Sequence, residues 1–378
     1  MAAYHQMGND TRNLVSERPQ YSGLIASPVN DQKSDVGGQI AQFQRDEFEV
    51  VFDPQLYFPQ SERGQLRTWE YFPSDVDTAD LSSDVWWNSV QNGLLATLED
   101  LKPRAACTPA VVPKEYSNDY YAAAIERSKS FCSRAVELGI RPLETILVRA
   151  AEMGSGDRAM QVASIASRTG AKGIYLVVVS DRAPRLELND TEELKGIMRL
   201  IRTAEDSGLP VLVGFSGPEV VLWKAAGATA CATGKFFNLR RFTPGRFADP
   251  QEGGGQLPYW LEESLVAYLR ESDLVRVEKL GLLSESTKRN PYAQQILAQL
   301  KSDPKKAWLA LGWRQYMWWF ADVEARIRSG AVKVNELLWD ADENWGKVQE
   351  ADLFMEERRN DGGWIRPWRR AVAEFDKE

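Results

Sequence analysis

Charged residues follow several short apolar segments, and a carboxylate is the most reactive of them. Asp53 comes directly after the apolar run Phe48–Phe52 and precedes Pro54, which fixes the backbone of the next residue. A carboxylate in this position could act as a general base, a nucleophile or a ligand-binding group. The alternative interpretation is structural, because the carboxylate of an Asp-Pro turn also caps the turn.

A second group of charged residues belongs to two later apolar segments. Arg149 and Glu152 lie within and after Thr145–Ala151, and Asp181 follows Gly173–Ser180. Arg149 is predicted to anchor a ligand or to form a structural ion pair with Asp53, Glu152 or Asp181. Asp181, like Asp53, is a candidate catalytic carboxylate or a cap, and Arg149 and Glu152 complete the set of candidate catalytic residues. Two carboxylates from different strands would suit acid–base chemistry or Mg²⁺, although the chain has no metal motif or cofactor fingerprint.

The last two apolar segments end in small residues. Val213–Gly217 ends in Ser216 and Gly217, and the next segment is followed by Gly234 and Lys235. Small residues, free backbone N–H groups and one cation are typical of the phosphate site that many barrels build from their last two βα loops. The alternative is that the glycines only permit tight turns.

Arg240 and Arg241 follow closely, with phenylalanines interleaved at positions 236, 237, 242 and 247. Aromatic and basic residues together would suit stacking of a base and binding of its phosphate. The alternative is that the phenylalanines pack against the C-terminal helices.

The apolar runs that precede these residues alternate with helical segments in a regular pattern. Helical segments that end in Gly separate most of the later apolar runs, which predicts βαβ units and a parallel sheet. Seven predicted strands suit a (β/α)8 barrel, with the eighth expected in Trp69–Phe72; a doubly wound open sheet is the alternative. The predicted strands are Gly23–Ser27, Phe48–Phe52, Ala105–Val112, Thr145–Ala151, Gly173–Ser180, Pro210–Phe215 and Ala228–Thr233.

The pattern divides the chain into three regions. Residues 1–20 are polar and aperiodic, which predicts a flexible tail, and residues 21–245 form the barrel. A loop containing three consecutive glycines leads to an α-helical region over residues 257–378. Its predicted helices are Tyr259–Arg270, Pro291–Leu300, Lys305–Ser329, Val332–Glu356 and Trp364–Phe375.

Most of the 13 Trp lie in that helical region. Trp364–Arg370 combines Trp with Arg, two residue types enriched at interface hot spots. The region around Trp364 and Trp368 is therefore a candidate surface for a protein partner or a second copy of the chain. An ordinary helical core is the alternative.

Composition limits the remaining functions. The net charge of −8 disfavours strong binding to nucleic acid or an anionic membrane. The chain shows no apolar run of about 18 residues and no apolar leader at its start, so a cytoplasmic protein is expected. The three Cys are far apart, and the single His, His5, falls in the predicted tail, which argues against zinc motifs and histidine-based catalysis.

The stretch Leu209–Phe242 resembles the last two strands of the tRNA-guanine transglycosylase barrels. Gly217–Pro218–Glu219 and Gly227 match the spacing of that family's turn, short helix and following strand. The position of the family's nucleophilic Asp is Ala232, and no Cys follows Cys231 to form its zinc motif. The resemblance implies a divergent member that has lost or relocated base exchange and that keeps nucleotide or nucleic-acid substrates.

Three functions follow from these patterns. The first is a barrel that binds a phosphorylated or nucleotide-like ligand at its C-terminal face, with transglycosylase-like or hydrolytic chemistry. The second is a catalytically silent scaffold that uses its Trp- and Arg-rich helices. The third is a nucleic-acid-binding protein that uses Arg240 and Arg241.

Overall fold

Eight parallel strands close into a barrel in chain order, with the first strand paired to the second and to the eighth. The computed structural model describes residues 3–8, 21–73, 83–248, 256–357 and 360–378. The barrel strands are β1 (Tyr4–Gln6), β2 (Gly23–Ala26), β3 (Glu49–Phe52), β4 (Ala105–Cys107), β5 (Arg141–Arg149), β6 (Ile174–Val179), β7 (Val211–Gly214) and β8 (Ala230–Thr233). The predicted (β/α)8 architecture is confirmed.

The strand that the sequence pattern does not predict is β1, at the start of the chain. The prediction of a flexible tail is therefore wrong for residues 4–6, whereas residues 9–20 lie outside the described part of the chain. A segment of three mostly polar residues has no apolar pattern typical of a strand. Backbone hydrogen bonds to β2 and β8 hold it in the barrel. His5 is fully buried in this strand, 6.2 Å from the ring of Tyr21, and does not belong to a solvated tail.

The segment expected to hold the eighth strand is an aromatic loop instead. The indole N–H of Trp69 donates to the Pro28 carbonyl at 3.0 Å, and the Tyr71 hydroxyl donates to the Pro54 carbonyl at 2.8 Å. Both rings pack near Phe52. These side chains support the strand-end loops and do not form a strand.

Amphipathic helices cover the outside of the barrel. They are α1 (Lys33–Arg45), α2 (Asp84–Leu101), α3 (Asn118–Glu137), α4 (Ala150–Met153), α5 (Arg158–Ala166), α6 (Thr191–Asp206) and α7 (Val220–Ala225). Asp190 caps α6 by accepting hydrogen bonds from the N–H groups of Glu192 and Glu193, as Asp does at many helix starts.

The region after the barrel begins with a hairpin. Strands β9 (Trp260–Glu262) and β10 (Ala267–Leu269) pair antiparallel, so the predicted helix Tyr259–Arg270 is wrong. Buried Glu262 accepts hydrogen bonds from the backbone N–H groups of Ser264 and Ser284, which stabilise the turn. The helices that follow are α8 (Glu271–Lys279), α9 (Glu285–Arg289), α10 (Pro291–Ser302), α11 (Leu309–Arg328), α12 (Val334–Glu350) and α13 (Ile365–Phe375).

Helix α11 takes the position of the barrel's eighth helix. It packs against α7 and β8, and the Tyr316 hydroxyl lies 2.7 Å from the hydroxyl of Thr233. The Tyr21 hydroxyl donates to the Met317 carbonyl at 2.8 Å. The regions predicted as residues 21–245 and 257–378 therefore share the last βα unit of the barrel.

Most tryptophans of the C-terminal helices are core residues. Trp368 is fully buried, and its indole N–H donates to the Leu188 carbonyl at 2.6 Å. Trp364 is also buried and packs edge-on against Trp345. The prediction that Trp364 and Trp368 anchor a partner is wrong, because neither ring reaches the surface. No helix in the described ranges is long and apolar enough to cross a membrane.

Candidate functional site

The segment after β8 folds back over the C-terminal ends of the strands. Its backbone is tied to neighbouring loops: the Ser180 N–H donates to the Phe242 carbonyl at 3.0 Å, and the Ser61 hydroxyl donates to the Phe247 carbonyl at 2.9 Å. The rings of Phe242 and Phe247 lie 5.0 Å and 5.8 Å from the ring of Tyr57. This aromatic cover separates the interior of the barrel from solvent.

Asp53 lies beneath the cover and is 1% exposed. The Tyr57 hydroxyl is 3.0 Å from both carboxylate oxygens, and the Gln55 backbone N–H donates to Oδ1 at 3.0 Å. The Tyr175 hydroxyl lies 3.4 Å from Oδ2 and 3.1 Å from Oε1 of Gln6. Asp53 therefore caps its turn, as the structural interpretation predicts, and also joins a buried polar network.

Burial controls the protonation of this network. Desolvation raises the pKa of Asp53 to about 6, while the hydrogen bonds from Gln55 and Tyr57 and the charge of Arg246 act in the opposite direction. Desolvation lowers the pKa of Arg246 to about 10, so that the guanidinium stays protonated at neutral pH. A carboxyl group that titrates close to neutrality can both accept and return a proton.

Arg246 connects the network with the aromatic cover. Its guanidinium carbon lies 5.5 Å from the ring of Phe215 and 5.7 Å from the ring of Phe247. We call the buried group composed of Gln6, Asp53, Gln55, Tyr57, Tyr175 and Arg246 the inner polar cluster.

A cavity of about 660 Å³ opens above the ends of β8, β1 and β2. Five cationic side chains line it, and none of its described lining residues is acidic. The cations are Arg63, Arg185, Lys235, Arg240 and Arg246, and we call this space the cationic cavity. The Arg246 side chain belongs both to its wall and to the inner polar cluster.

Ring faces and backbone carbonyls hold two of these cations in place. The Lys235 ammonium lies 4.6 Å from the ring of Trp313. The Arg240 guanidinium stacks 3.4 Å from the ring of Tyr316 and donates to the carbonyls of Gly234 and Lys235. Gly234 is required there, because a Cβ atom would lie 2.7 Å from the Gln6 carbonyl oxygen. Two predicted binding residues, Lys235 and Arg240, therefore line the cavity.

The predicted phosphate corner at the end of β7 is filled by protein. Arg241 and Glu219 form a buried ion pair at 3.3 Å, and a Cβ atom on Gly217 would lie 2.8 Å from Oε2 of Glu219. The Ser216 hydroxyl donates to the Val213 carbonyl. Ser216, Gly217 and Arg241 are not among the residues that line the cationic cavity. The predicted nucleic-acid surface is wrong as well, since Arg240 and Arg241 are both buried.

The remaining predicted catalytic residues lie in a separate, solvated group. Arg149 donates to Oδ2 of Asp181 at 2.6 Å, and both side chains are largely exposed. Glu152 lies near Arg149 at the start of α4 and contributes to its electrostatic environment. The predicted pairing of Asp53 with Arg149 or Asp181 does not occur. Within the described ranges, no group of three His, Cys, Asp or Glu side chains is placed to hold a metal ion.

Four residues of the site carry no local sequence signal. Gln6 lies in a segment that looks like a tail, Arg63 and Arg185 lie in long loops, and Arg246 follows a Pro-Gly turn. Their closeness arises from barrel closure and from the return of the chain after β8. An aromatic-rich loop directly after the last strand is the one feature that hinted at a cover.

Comparison with known proteins identifies no family for this chain. No family model matches it, and no curated protein matches its sequence. Solved structures that it resembles include D-psicose 3-epimerase in the presence of D-fructose, at 12% identity and a TM-score of 0.36 over 66% of this chain and 93% of that chain. L-ribulose 3-epimerase shares 14% identity at a TM-score of 0.36, over 81% and 100% of the two chains. Haloferax volcanii malate synthase in a lead(II) complex shares 12% identity at a TM-score of 0.36, over 97% and 98%. Likenesses this low carry no argument about function.

Proposed function

We propose that the protein binds a small anionic molecule, phosphorylated or nucleotide-like, in the cationic cavity. The observation that supports this function is the set of five cations around about 660 Å³ with no acid among the described lining residues, although one of them, Arg185, is paired with Glu357 at 2.9 Å. The chain as a whole carries a net charge of −8, so this local excess of positive charge differs in sign from the protein average. The volume is typical of small-molecule sites.

The arrangement of the cations suits a phosphate group. Arg240 is held by two backbone carbonyls and by the Tyr316 ring, so that little side-chain entropy is lost when a ligand binds. Lys235 supplies a compact charge beside the rings of Phe236 and Trp313, which offer flat surfaces for an apolar or aromatic part of a ligand.

The position of Asp53 supports a catalytic form of this proposal. Arg246 lines the cavity and contributes to the charge environment of Asp53, whose pKa of about 6 suits proton transfer. Asp53 is therefore our candidate acid–base residue. Transglycosylase-like base exchange has no nucleophile at the matching position, because Ala232 ends in a buried methyl group.

Calorimetric titration tests the binding proposal, with inorganic phosphate, ribose 5-phosphate and adenosine monophosphate as probes. We expect Lys235→Met to weaken binding about tenfold, since one charge-assisted contact is lost. Lys172→Met is the matched control, because Lys172 is exposed and precedes β6 at the opposite end of the barrel. The proposal fails if no probe binds at about 10 mM, or if the two variants weaken binding equally.

A further inference from the structure

The inner polar cluster contains buried polar atoms that find no hydrogen-bond partner in the described protein. They are Nε2 of Gln6, both amide atoms of Gln55, and Nε of Arg246. Gln6 and Gln55 are fully buried and Arg246 is 5% exposed. A buried polar atom that is left without a partner is costly, so such a cluster is a candidate place for a further polar group.

The cluster lies deeper in the barrel than the cationic cavity. Gly8 lines the cavity, and Gln6, the last residue of β1, precedes it by two residues. At about 3.3 Å of rise per extended residue, Gln6 lies within about 7 Å of Gly8 along the chain. Arg246 spans the two levels, since it lines the cavity and also packs beside Phe215 and Phe247.

The chemistry of these atoms differs from that of the cavity above. They comprise donors on Gln6, Gln55 and Arg246 and one acceptor on Gln55, whose backbone N–H donates to the Asp53 carboxylate. Hydroxyl groups both donate and accept, so a hydroxylated head group satisfies such a mixed set. A second charged group would instead have to be desolvated beneath the aromatic cover, which is costly.

We propose that the inner polar cluster binds the uncharged, hydroxylated head group of the same ligand, so that the ligand is a phosphorylated sugar. The phosphate lies among the cations, and the hydroxyl groups reach Gln6, Gln55 and Asp53. Of the inner polar cluster only Arg246 lines the cavity in this structure, so the proposal requires Arg246 to turn toward the phosphate and make room for the head group. The inference rests on the proposed function, which supplies the anionic end of the ligand.

Calorimetry with two probes tests the inference on the full-length protein. We expect ribose 5-phosphate to bind at least about tenfold more tightly than inorganic phosphate, because the head group satisfies buried atoms. Gln6→Met keeps the side-chain length and removes the amide. It should weaken ribose 5-phosphate binding about tenfold and leave inorganic phosphate binding unchanged, whereas Lys235→Met should weaken both.

A second variant guards against a folding defect in β1. Gln55 has a positive φ of 49°, which Asn tolerates, so Gln55→Asn shortens the side chain without straining the backbone. It should reproduce the selective loss of ribose 5-phosphate binding. Thermal unfolding of both variants identifies any loss of the fold.

Three results would overturn the inference. Equal affinities for the two probes would mean that the cluster holds water only. Equal weakening of both probes by Gln55→Asn would assign the residue a structural role. Tighter binding of adenosine monophosphate than of ribose 5-phosphate, with the gain lost in Gln6→Met, would place a base in the cluster. If none of the three probes binds, the proposed function itself fails, which is a different result.

Discussion

Two carboxylates with the same sequence signature occupy opposite environments in this barrel. Asp53 follows the apolar strand β3, and Asp181 lies just beyond the apolar strand β6. Asp53 is 1% exposed under Phe242 and Phe247, whereas the Asp181 side chain is 58% exposed and pairs with Arg149. The chain that returns after β8 covers one side of the barrel mouth and leaves the other solvated. Position at a strand end is therefore insufficient to define a reactive carboxylate.

The largest expected difference between the two carboxylates is in the pH dependence of stability. The folded-state pKa of Asp53 is about 6, raised from 3.8, so the folded protein holds this proton more tightly than the unfolded chain. The stabilising contribution is present below the unfolded pKa and is lost as the pH rises through 6, which amounts to about 3 kcal/mol.

Urea unfolding between pH 4 and 7 measures this effect against Asp53→Asn, which has no proton to lose. Over that range the free energy of unfolding should fall by about 2 kcal/mol more in the wild type than in the variant, because the rest of the effect lies below pH 4. Asp181→Asn is the matched control and should follow the wild type. If the free energies of unfolding of wild type and Asp53→Asn changed equally with pH, Asp53 would not titrate between pH 4 and 7.

Tyr57→Phe should change the pKa of Asp53, with an effect smaller than that of Asp53→Asn. The Tyr57 hydroxyl bonds to both oxygens of the Asp53 carboxylate and favours its charged form. Its loss should raise the pKa of Asp53 above its value of about 6 in the wild type. NMR titration of the Asp53 carboxyl carbon reports the pKa directly, and an unchanged or lower value would contradict the assigned network.

The smallest effect is expected for the solvated pair. Arg149→Met removes the bond to Asp181, but exposed ion pairs contribute less than about 1 kcal/mol. The free energy of unfolding should therefore change by less than that amount, and the affinity for inorganic phosphate should stay the same. A tenfold loss of phosphate affinity would instead indicate that phosphate binds near Arg149 and Asp181.

Local patterns predicted the barrel but only parts of its mouth. Seven strands are predicted by their apolar runs, because a strand buried on both faces needs a nearly continuous apolar sequence. Most barrel helices are predicted by their apolar spacing and by the glycines that end them. The strand Tyr4–Gln6 was missed because its pairing comes entirely from two neighbours. The hairpin Trp260–Leu269 was read as a helix because short apolar segments do not distinguish the two.

Local sequence patterns were enough to predict the class of fold, the candidacy of Asp53, and the position of Lys235 and Arg240 after the last strand. Three features depend on the folded chain: which side of the mouth is covered, that Glu219 fills the predicted phosphate corner, and that Tyr175 links Gln6 to Asp53 while the charge of Arg246 acts on the same carboxylate. The physical reason is that local hydrophobic periodicity indicates where strands and helices lie along the chain. Desolvation and charge pairing depend instead on contacts between segments that are 22 to 169 residues apart in the chain, and closure of the barrel creates those contacts.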